Sequence, residues 1–205
     1  MIGRTYNDYL QYVKRRRGKA VVQYDSLIGK STDTKAILTI TFKDSNFQFG
    51  LLVYKNSPTS VKNQLCSLFN KLGEAAVQKI FPINLSDNGL EFSFFPEIET
   101  MNGQKVVRTF FTRPYRSTDK SECERNHELV RYVYPKSKSF NRITQQELND
   151  VFSNINSYVR KAKGNKTPYD LVKQRFGQAF LDTIGIRRIP NKKVKLTQLI
   201  CPSDP

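Results

Sequence analysis

The sequence predicts an α/β fold in which a mixed sheet is flanked by helices and followed by a helical, basic C-terminal extension. Three observations carry this prediction. Alternating apolar and β-branched residues recur in the first 55 residues, which is typical of strands. Apolar residues at helical spacing follow between residues 60 and 79 and again beyond residue 121. The 205 residues are enough for one well-filled core and a small appendage.

The first three strands are predicted from periodicity and turn composition. A basic helical segment is expected at 1–19, ahead of strand one. Leu38, Ile40 and Phe42 alternate along one face of the second stretch, and a polar turn leads from it into the third. The hairpin so formed makes all three strands antiparallel. Their predicted ranges are 20–25, 35–43 and 47–54.

Further along the chain, helices and short strands are expected to alternate until only helices remain. Thr144-Gln-Gln-Glu147 is a capping box, which predicts a helix that Gly164 ends. Thr167 followed by Pro168 opens another helix. Helices are predicted within 60–69, 74–79 and about 145–162 and around residue 124, strands at 83–86 and 106–111, and a loop at 93–105.

The resulting order, three strands, helices, two strands and then helices, is that of an RNase H-like fold of the retroviral integrase type. The first and fourth strands of that fold lie side by side. Asp25, which ends strand one, and Asp87, which follows strand four, are therefore expected at neighbouring strand ends, with the Glu124 helix closing over them.

The charge balance favours a nucleic acid as partner. The chain has 34 Lys and Arg against 18 Asp and Glu, a formal net charge of +16 and a pI near 9.8. A solvated or ribosome-associated basic surface is the alternative that charge alone leaves open. No apolar run approaches the ~18 to 20 residues of a membrane span, and the N-terminus lacks a signal-peptide core. We therefore expect an intracellular protein that is not associated with a membrane.

Cysteine and histidine usage excludes several kinds of site. Cys66, Cys123 and Cys201 are far apart and form no Cys-x-x-Cys pair, so neither a disulfide framework nor a zinc site is supported. His127 is the single histidine, which rules out metal sites built from several histidines. The sequence also lacks the Gly-x-Ser-x-Gly motif of serine hydrolases.

Three acids stand in contexts that suggest one metal-binding catalytic site. Asp25 ends strand one, Asp87 opens a turn after an apolar run, and Glu124 follows 37 positions later. Carboxylates bind hard divalent cations, and two such ions can activate a water or 3′-hydroxyl on one side of a phosphodiester and stabilise the leaving oxygen on the other. Acids within a basic chain therefore predict the cutting or joining of DNA.

Each of these acids also has a structural interpretation. Asp87 lies in a Ser-Asp-Asn-Gly turn, where Asp and Asn are favoured for local hydrogen bonds. Asp25 alone would be an acid at a strand end, and Glu128 shares a helix face with Glu124 and competes for the third position. Asn88 either orients Asp87 or is a turn residue with left-handed geometry.

Several motifs together carry a family resemblance, and the two most specific are Ser86-Asp-Asn-Gly-Leu-Glu-Phe92 and Asn126-His-Glu-Leu-Val-Arg131. With Val22-Gln-Tyr-Asp25, Arg113-Pro-Tyr-Arg-Ser117 and Tyr134-Pro-Lys136, they resemble the catalytic half of an IS30-family DDE transposase over nearly the whole chain.

This resemblance implies a DNA transposase that nicks a transposon end and joins the freed 3′-hydroxyl to target DNA. It implies that Asp25, Asp87 and Glu124 are the catalytic acids and the ligands of two Mg²⁺ or Mn²⁺ ions. Double-stranded DNA, as transposon ends and as target, would be the partner of a homo-oligomer assembled on it. The predicted segments are a basic N-terminal segment (1–19), the catalytic domain (20–163) and a helical, basic C-terminal extension (164–205).

Two features depart from the family pattern. The loop before Glu124 has the sequence Thr118-Asp-Lys-Ser-Glu122, where relatives have an aromatic residue or Gln, then Lys and Gly-Ala. Relatives also carry a helix-turn-helix region that recognises the transposon ends, and none is expected before Asp25. Two alternatives therefore stay open: a truncated, inactive remnant that binds DNA non-specifically or dimerises, and another RNase H-like nuclease that cuts without joining.

A further set of side chains is predicted to contact DNA. An exposed arginine on a helix is an equally good interpretation of Arg131, and a hydrogen-bonded helix residue is the simpler one for His127. The set comprises Lys14, Arg15, Arg16, Arg17, Arg116, Lys120, His127, Arg131 and Lys136.

Overall fold

The structure, a computed structural model, describes residues 3–114, 116, 119, 121–136 and 138–196, with the backbone alone described at 121–125. A five-stranded mixed sheet forms its centre, with the strand order β3-β2-β1-β4-β7, and β5 and β6 form a separate pair. The strands are β1 (Val21–Ile28), β2 (Lys35–Phe42), β3 (Phe47–Tyr54), β4 (Ile83–Ser86), β5 (Thr100–Met101), β6 (Gln104–Lys105) and β7 (Arg108–Phe111). The helices are α1 (Tyr6–Arg15), α2 (Pro58–Leu72), α3 (Glu74–Ile80), α4 (Ser121–Val133), α5 (Gln145–Ser157), α6 (Pro168–Phe176) and α7 (Gln178–Thr183).

The central sheet has the strand neighbours that the sequence predicts. β1, β2 and β3 form an antiparallel meander, and β4 lies parallel to β1, so the predicted adjacency of the first and fourth strands is confirmed. β1 extends beyond Asp25, where the sequence predicted its end, because its ladder with β2 continues to the pair Ile28 and Ala36. Its ladder with β4 ends earlier, at Gln23 opposite Leu85.

The two faces of the sheet bury separate groups of apolar side chains. Consecutive strand residues point to opposite faces. Val22 and Tyr24 accordingly belong to the main core, whereas Val21 packs with Phe110 in a smaller cluster on the other face. Tyr9 of α1 covers that smaller cluster, with its ring 5.9 Å from the ring of Phe110. The sheet is thus enclosed by helices on both faces.

The capping box predicted before α5 is present, but the helix is shorter than predicted. The hydroxyl of Thr144 accepts from the amide of Glu147, whose carboxylate accepts from the amide of Thr144. The helix ends at Ser157 and not at residue 162, because Tyr158 has extended backbone and Arg160 then forms an isolated bridge with Lys166. Gly164 ends a separate short 3₁₀ helix instead.

The segment predicted as a loop, 93–105, has regular structure. Phe95–Glu99 is a 3₁₀ helix, and β5 and β6 form a small hairpin. The hairpin turn has positive φ at both central residues, 48° at Asn102 and 79° at Gly103, which is the Asn-Gly pattern of tight hairpins. The strand after it begins at Arg108, two residues later than predicted.

The C-terminal helices pack into the main core. Phe180 of α7 lies 5.9 Å from Phe42 and 6.1 Å from Phe81 between ring centres. Ile184 and Ile186, which follow α7, are buried in the same cluster. The segment 164–196 therefore shares the core of the sheet, and the boundaries predicted at 19 and 163 stay predictions. None of the described helices is long and apolar enough to cross a bilayer.

Candidate active site

The ends of β1 and β4 bring two of the predicted acids to the same edge of the sheet. Parallel strands keep one register, and Gln23 lies opposite Leu85. Two residues further along the chain are Asp25, which is still within β1, and Asp87, which directly follows β4. We call this edge, with its carboxylates Asp25, Asp87 and Glu91, the acidic edge.

Asp25 is held by its own strand and by its neighbours. Its Oδ1 accepts from the amide of Ser26 at 2.9 Å, and its backbone carbonyl accepts from the Thr39 hydroxyl at 3.1 Å. Its Oδ2 lies 3.8 Å from Nδ1 of His127. The side chain is 23% exposed, so this oriented carboxylate still reaches solvent.

The turn that carries Asp87 is fixed at several points. Oδ1 of Asp87 accepts from the amide of Gly89 at 3.0 Å, as expected of an acid that begins a turn. The side chain of Asn88 donates to the carbonyl of Thr112 at 2.8 Å, and the amide of Thr112 donates to Ser86 at the same distance. Asn88 does not have positive φ, so the left-handed interpretation was wrong: its amide group ties the turn to the end of β7.

Glu91 is a third carboxylate of the acidic edge, and the sequence analysis missed it. A Cβ added to Gly89 would lie 2.8 Å from Cδ of Glu91 and 3.0 Å from Oδ1 of Asp87. A side chain at residue 89 would therefore displace the flexible end of Glu91, and glycine leaves both carboxylates their present positions. The signal was present in the sequence, because Glu91 belongs to the same motif as Asp87.

Asn56 joins β1 to the loop that follows β4 at the acidic edge. Its Nδ2 donates to Oε1 of Glu91 at 3.0 Å, and its Oδ1 accepts from the hydroxyl of Ser26 at 3.2 Å. Ser26 is the residue whose amide holds Asp25. One side chain that follows β3 therefore connects the end of β1 with the loop after β4.

Helix α4 packs against β2 and the turn that follows it, next to Asp25. Asn126 donates to the carbonyl of Asn46 at 2.7 Å, and Nε2 of His127 lies 2.8 Å from the hydroxyl of Thr39. His127 is 14% exposed, next to Asp25. Glu124 precedes it by three residues, about one helical turn, and its side chain lies outside the described residues. Glu128, the competing acid, is exposed.

The loop before α4, where the chain departs from the family pattern, has its own anchor. The backbone amide and the guanidinium of Arg113 donate to the carboxylate of Asp119 over 2.6 to 3.1 Å. The hydrogen bond from the Arg113 side chain, opposed by burial, lowers the pKa of Asp119, which is 3% exposed. Arg113 also lies over the ring of Tyr6, 4.8 Å from its centre. Arg113 thus links Asp119 to α1, whereas Thr118 and Lys120 of the divergent sequence lie outside the described residues.

The side chains predicted to contact DNA divide into exposed and partly buried groups. Arg131 donates to the carbonyl of Ile28 at 3.0 Å, and burial lowers its pKa. It and His127 face the strands, and Lys120 lies outside the described residues. DNA contact by all of these residues stays a prediction. The exposed members are Lys14, Arg15, Arg16, Arg17, Arg116 and Lys136.

The donor chemistry of the acidic edge suits hard divalent cations. Asp25, Asp87 and Glu91 offer carboxylate oxygens, which Mg²⁺ and Mn²⁺ prefer. No group of three His, Cys, Asp or Glu side chains in metal-binding geometry occurs in the described part of the chain, and that part does not include the Glu124 side chain. The carboxylates thus fit the predicted ions in donor chemistry, but Asp25, Asp87 and Glu91 do not by themselves form a metal-binding group.

One curated protein with a related sequence is the transposase for insertion sequence element IS4351 of Bacteroides fragilis. The identity is 32% over 94 residues, which is 45% of this chain and 28% of that transposase. The chain thus matches under a third of the relative's length. No protein-family model matches the chain.

Two solved structures share the fold. The catalytic core domain of BIV integrase has a TM-score of 0.54 at 18% identity, over 77% of this chain and 95% of that one. The simian T-cell lymphotropic virus intasome in complex with PP2A regulatory subunit B56 gamma gives 0.52 at 16%, over 74% and 53%. These likenesses confirm the predicted RNase H-like fold of the integrase type. The chain has a transposase as a relative in sequence and integrase catalytic cores as relatives in fold.

Proposed function

We propose that this chain is the catalytic domain of a DNA transposase, which nicks a transposon end and joins the freed 3′-hydroxyl to target DNA. The observation that carries the proposal is that Asp25 and Asp87 each lie two residues beyond the last pair of the ladder between β1 and β4, in a sheet of the integrase type. The relative from Bacteroides fragilis, itself a transposase, supports the same class of reaction. The proposal also includes membership of the IS30 family, a cytoplasmic location at the nucleoid and a homo-oligomer assembled on DNA.

In this proposal Asp25, Asp87 and Glu124 would hold two Mg²⁺ or Mn²⁺ ions. Bound there, such ions supply activation of the attacking oxygen and stabilisation of the leaving oxygen. The chain's own part is to hold the carboxylates. The amides of Ser26 and Gly89 orient the two aspartates, and contacts between α4 and β2 set the position of the helix that carries Glu124.

Replacement of each acid by its amide tests this proposal. Asp25→Asn, Asp87→Asn and Glu124→Gln should each lower Mn²⁺-dependent nicking and strand transfer at least about a hundredfold, because metal binding contributes several kcal/mol to the transition state. DNA affinity should be retained, since it depends on basic side chains. The assay uses a duplex that ends in a transposon terminus and resolves nicked from joined products.

Glu128→Gln is the matched control, because Glu128 is an exposed acid on the same helix. It should leave both reactions unchanged. Loss of activity in this variant together with retention in Glu124→Gln would show that the third acid is wrongly assigned. Nicking without joined product would favour an RNase H-like nuclease, and no metal-dependent product at all would favour an inactive remnant.

A further inference from the structure

A second concave surface lies at the opposite edge of the sheet from the acidic edge. It is a groove of about 640 Å³ at the beginnings of β1, β4 and β7. Residues after α1 form one wall, α3 and the end of α6 contribute others, and Lys105 of β6 lies at its rim. Ile83 of β4 lines the groove, whereas Asp87 lies four residues further on, on the order of 13 Å along the strand direction.

The groove is lined by cations from five different parts of the chain. No aspartate or glutamate is among the described residues that line it. All but one of the cationic side chains belong to exposed residues, and Arg108 is partly buried. They are Arg16, Lys19, Lys79, Lys105, Arg108 and Arg175.

Two of these arginines are fixed by groups at the margin of the groove. Arg108 donates to the carbonyl of Gly3 at 2.8 Å and pairs with Glu99 at 3.5 Å. Arg175 donates to the carbonyl of Gly18 at 2.6 Å and to Asp44 at 2.8 Å.

The other cations of the groove are less neutralised. Lys105 has a longer pairing with Glu99, 3.7 Å. Within the described residues, Arg16, Lys19 and Lys79 form no ion pair. The groove therefore keeps a net positive charge that its own neighbours do not neutralise.

We propose that this groove binds the phosphate backbone of a DNA duplex, as a surface separate from the acidic edge. The cations are spread over five parts of the chain and not gathered around one point, which suits an extended polyanion better than a small anion. Lysine and arginine contacts to phosphates position a duplex without selecting its sequence. The proposal rests on the proposed function for the identity of the nucleic acid and adds a second place where the protein holds it.

The test compares two triple variants that remove the same charge. Lys19→Ala, Lys79→Ala and Lys105→Ala together empty the groove of its lysines, whereas Lys71→Ala, Lys161→Ala and Lys166→Ala remove exposed lysines elsewhere. Duplex affinity is measured by fluorescence anisotropy between 50 and 200 mM salt, in the Asp87→Asn background so that no cutting occurs. The slope of log K against log salt should fall by up to about 2.7 in the groove variant, about 0.9 per lost phosphate contact.

The control triple variant should lower that slope by less than about 1. Equal changes in the two variants, or no change in either, would overturn the proposal. If the groove variant does not fold, the single variant Lys79→Glu is measured instead, because Lys79 is exposed on α3. An unchanged salt slope in Lys79→Glu would then reject DNA binding by the groove. Poly-L-glutamate serves as a probe for an acidic protein surface. If it binds more tightly than the duplex and loses that affinity in the groove variant, the partner of the groove is an acidic protein surface and not DNA.

Nicking by the groove variant separates this inference from the proposed function. With Asp87 intact, the triple variant should need a higher DNA concentration than the wild type for half-maximal nicking, because the groove contributes to DNA affinity. Failure of the proposed function would appear as no nicking by the wild type while the salt slopes still differ between the variants. Failure of the groove would appear as normal nicking with identical slopes.

Discussion

The two edges of the central sheet differ in how their charged groups are held. At the acidic edge, Asp25 and Asp87 each accept a hydrogen bond from a nearby backbone amide, and Asn56 holds Glu91. In the basic groove most cations are exposed, and Lys19 and Lys79 form no ion pair within the described residues. Chemistry at one phosphorus atom requires fixed donors, whereas attraction of a phosphate backbone requires only charge. This difference is consistent with the proposals that the acidic edge carries the reaction and that the groove binds DNA.

Glu99 shows that an acid near the basic groove can have a purely structural role. It is 4% exposed and accepts from the amide of Thr109 at 2.7 Å and from its hydroxyl at 2.8 Å. The guanidinium groups of Arg4 and Arg108 also donate to it. Burial alone would raise the pKa of Glu99, and the hydrogen bonds from Arg4 and Thr109 outweigh it, so the pKa is lowered. Its partners tie the N-terminal segment to β7.

The largest effect on stability is expected from the loss of Glu99. Glu99→Gln should lower the free energy of unfolding by about 2 to 4 kcal/mol, because Arg4 and Arg108 lose their partly buried counter-charge. Nicking per folded molecule should not change. Glu97→Gln is the control: Glu97 lies in the same 3₁₀ helix and pairs with Lys62 in an exposed position, where such pairs contribute about 0 to 1 kcal/mol. Urea denaturation measures both, and equal losses would contradict the structural role of Glu99.

The same variant tests the pH dependence of the Glu99 network. The folded pKa lies below the ordinary value of 4.5, so the network stabilises the protein above that pH. This stabilisation should be lost as the pH falls below about 4.5 and Glu99 is protonated. The difference in unfolding free energy between wild type and Glu99→Gln should therefore shrink from pH 6 to pH 3. A difference in unfolding free energy that grows as the pH falls would contradict a lowered pKa of Glu99.

Metal binding should stabilise the acidic edge by a somewhat smaller amount. Carboxylates brought together repel one another, and a divalent cation relieves that repulsion. Mn²⁺ at a hundred times its dissociation constant should stabilise the folded state by about 2.7 kcal/mol and raise the melting temperature accordingly. Asp87→Asn should remove most of this shift and leave the metal-free protein at least as stable, whereas Glu99→Gln should keep the shift. An equal rise of the melting temperature in Asp87→Asn would mean that Mn²⁺ binds at a different site.

The smallest effect concerns the bridge made by Asn56. Asn56→Ala should cost about 1 kcal/mol of stability, the typical contribution of one or two hydrogen bonds. It should also raise the Mn²⁺ concentration needed for half-maximal nicking about tenfold, because Asn56 holds Ser26, whose amide orients the proposed metal ligand Asp25. Asn102→Ala removes an exposed hydrogen bond to Glu74 at a turn residue of positive φ, and it should leave the metal dependence unaltered whatever its effect on stability. Loss of stability without a change in metal dependence would make Asn56 a structural residue only.

The sequence predicted the features that depend on local pattern. The hairpin of β2 and β3, the capping box at Thr144 and the turn at Asp87 follow from periodicity or turn composition, whereas the pairing of β1 with β4 was predicted from the order of elements in the RNase H-like fold. It could not predict Asn56, because the contacts of Asn56 with Ser26 and Glu91 join residues 30 and 35 positions apart. The end of α5 was missed for a similar reason, since the backbone of Arg160 pairs with Lys166 beyond the helix.

The unequal lengths of the strand ladders have a mechanical consequence. Beyond Gln23 and Leu85, β1 stays with β2 as far as Ile28, and β4 stays with β7 as far as Ser86. The sheet therefore separates into two strand pairs at this edge, with Asp25 in the pair β1–β2 and Asp87 directly after the pair β4–β7. The gap between the two pairs is spanned by the side chain of Asn56 and not by a backbone ladder, so the width of the gap can change without breaking the sheet.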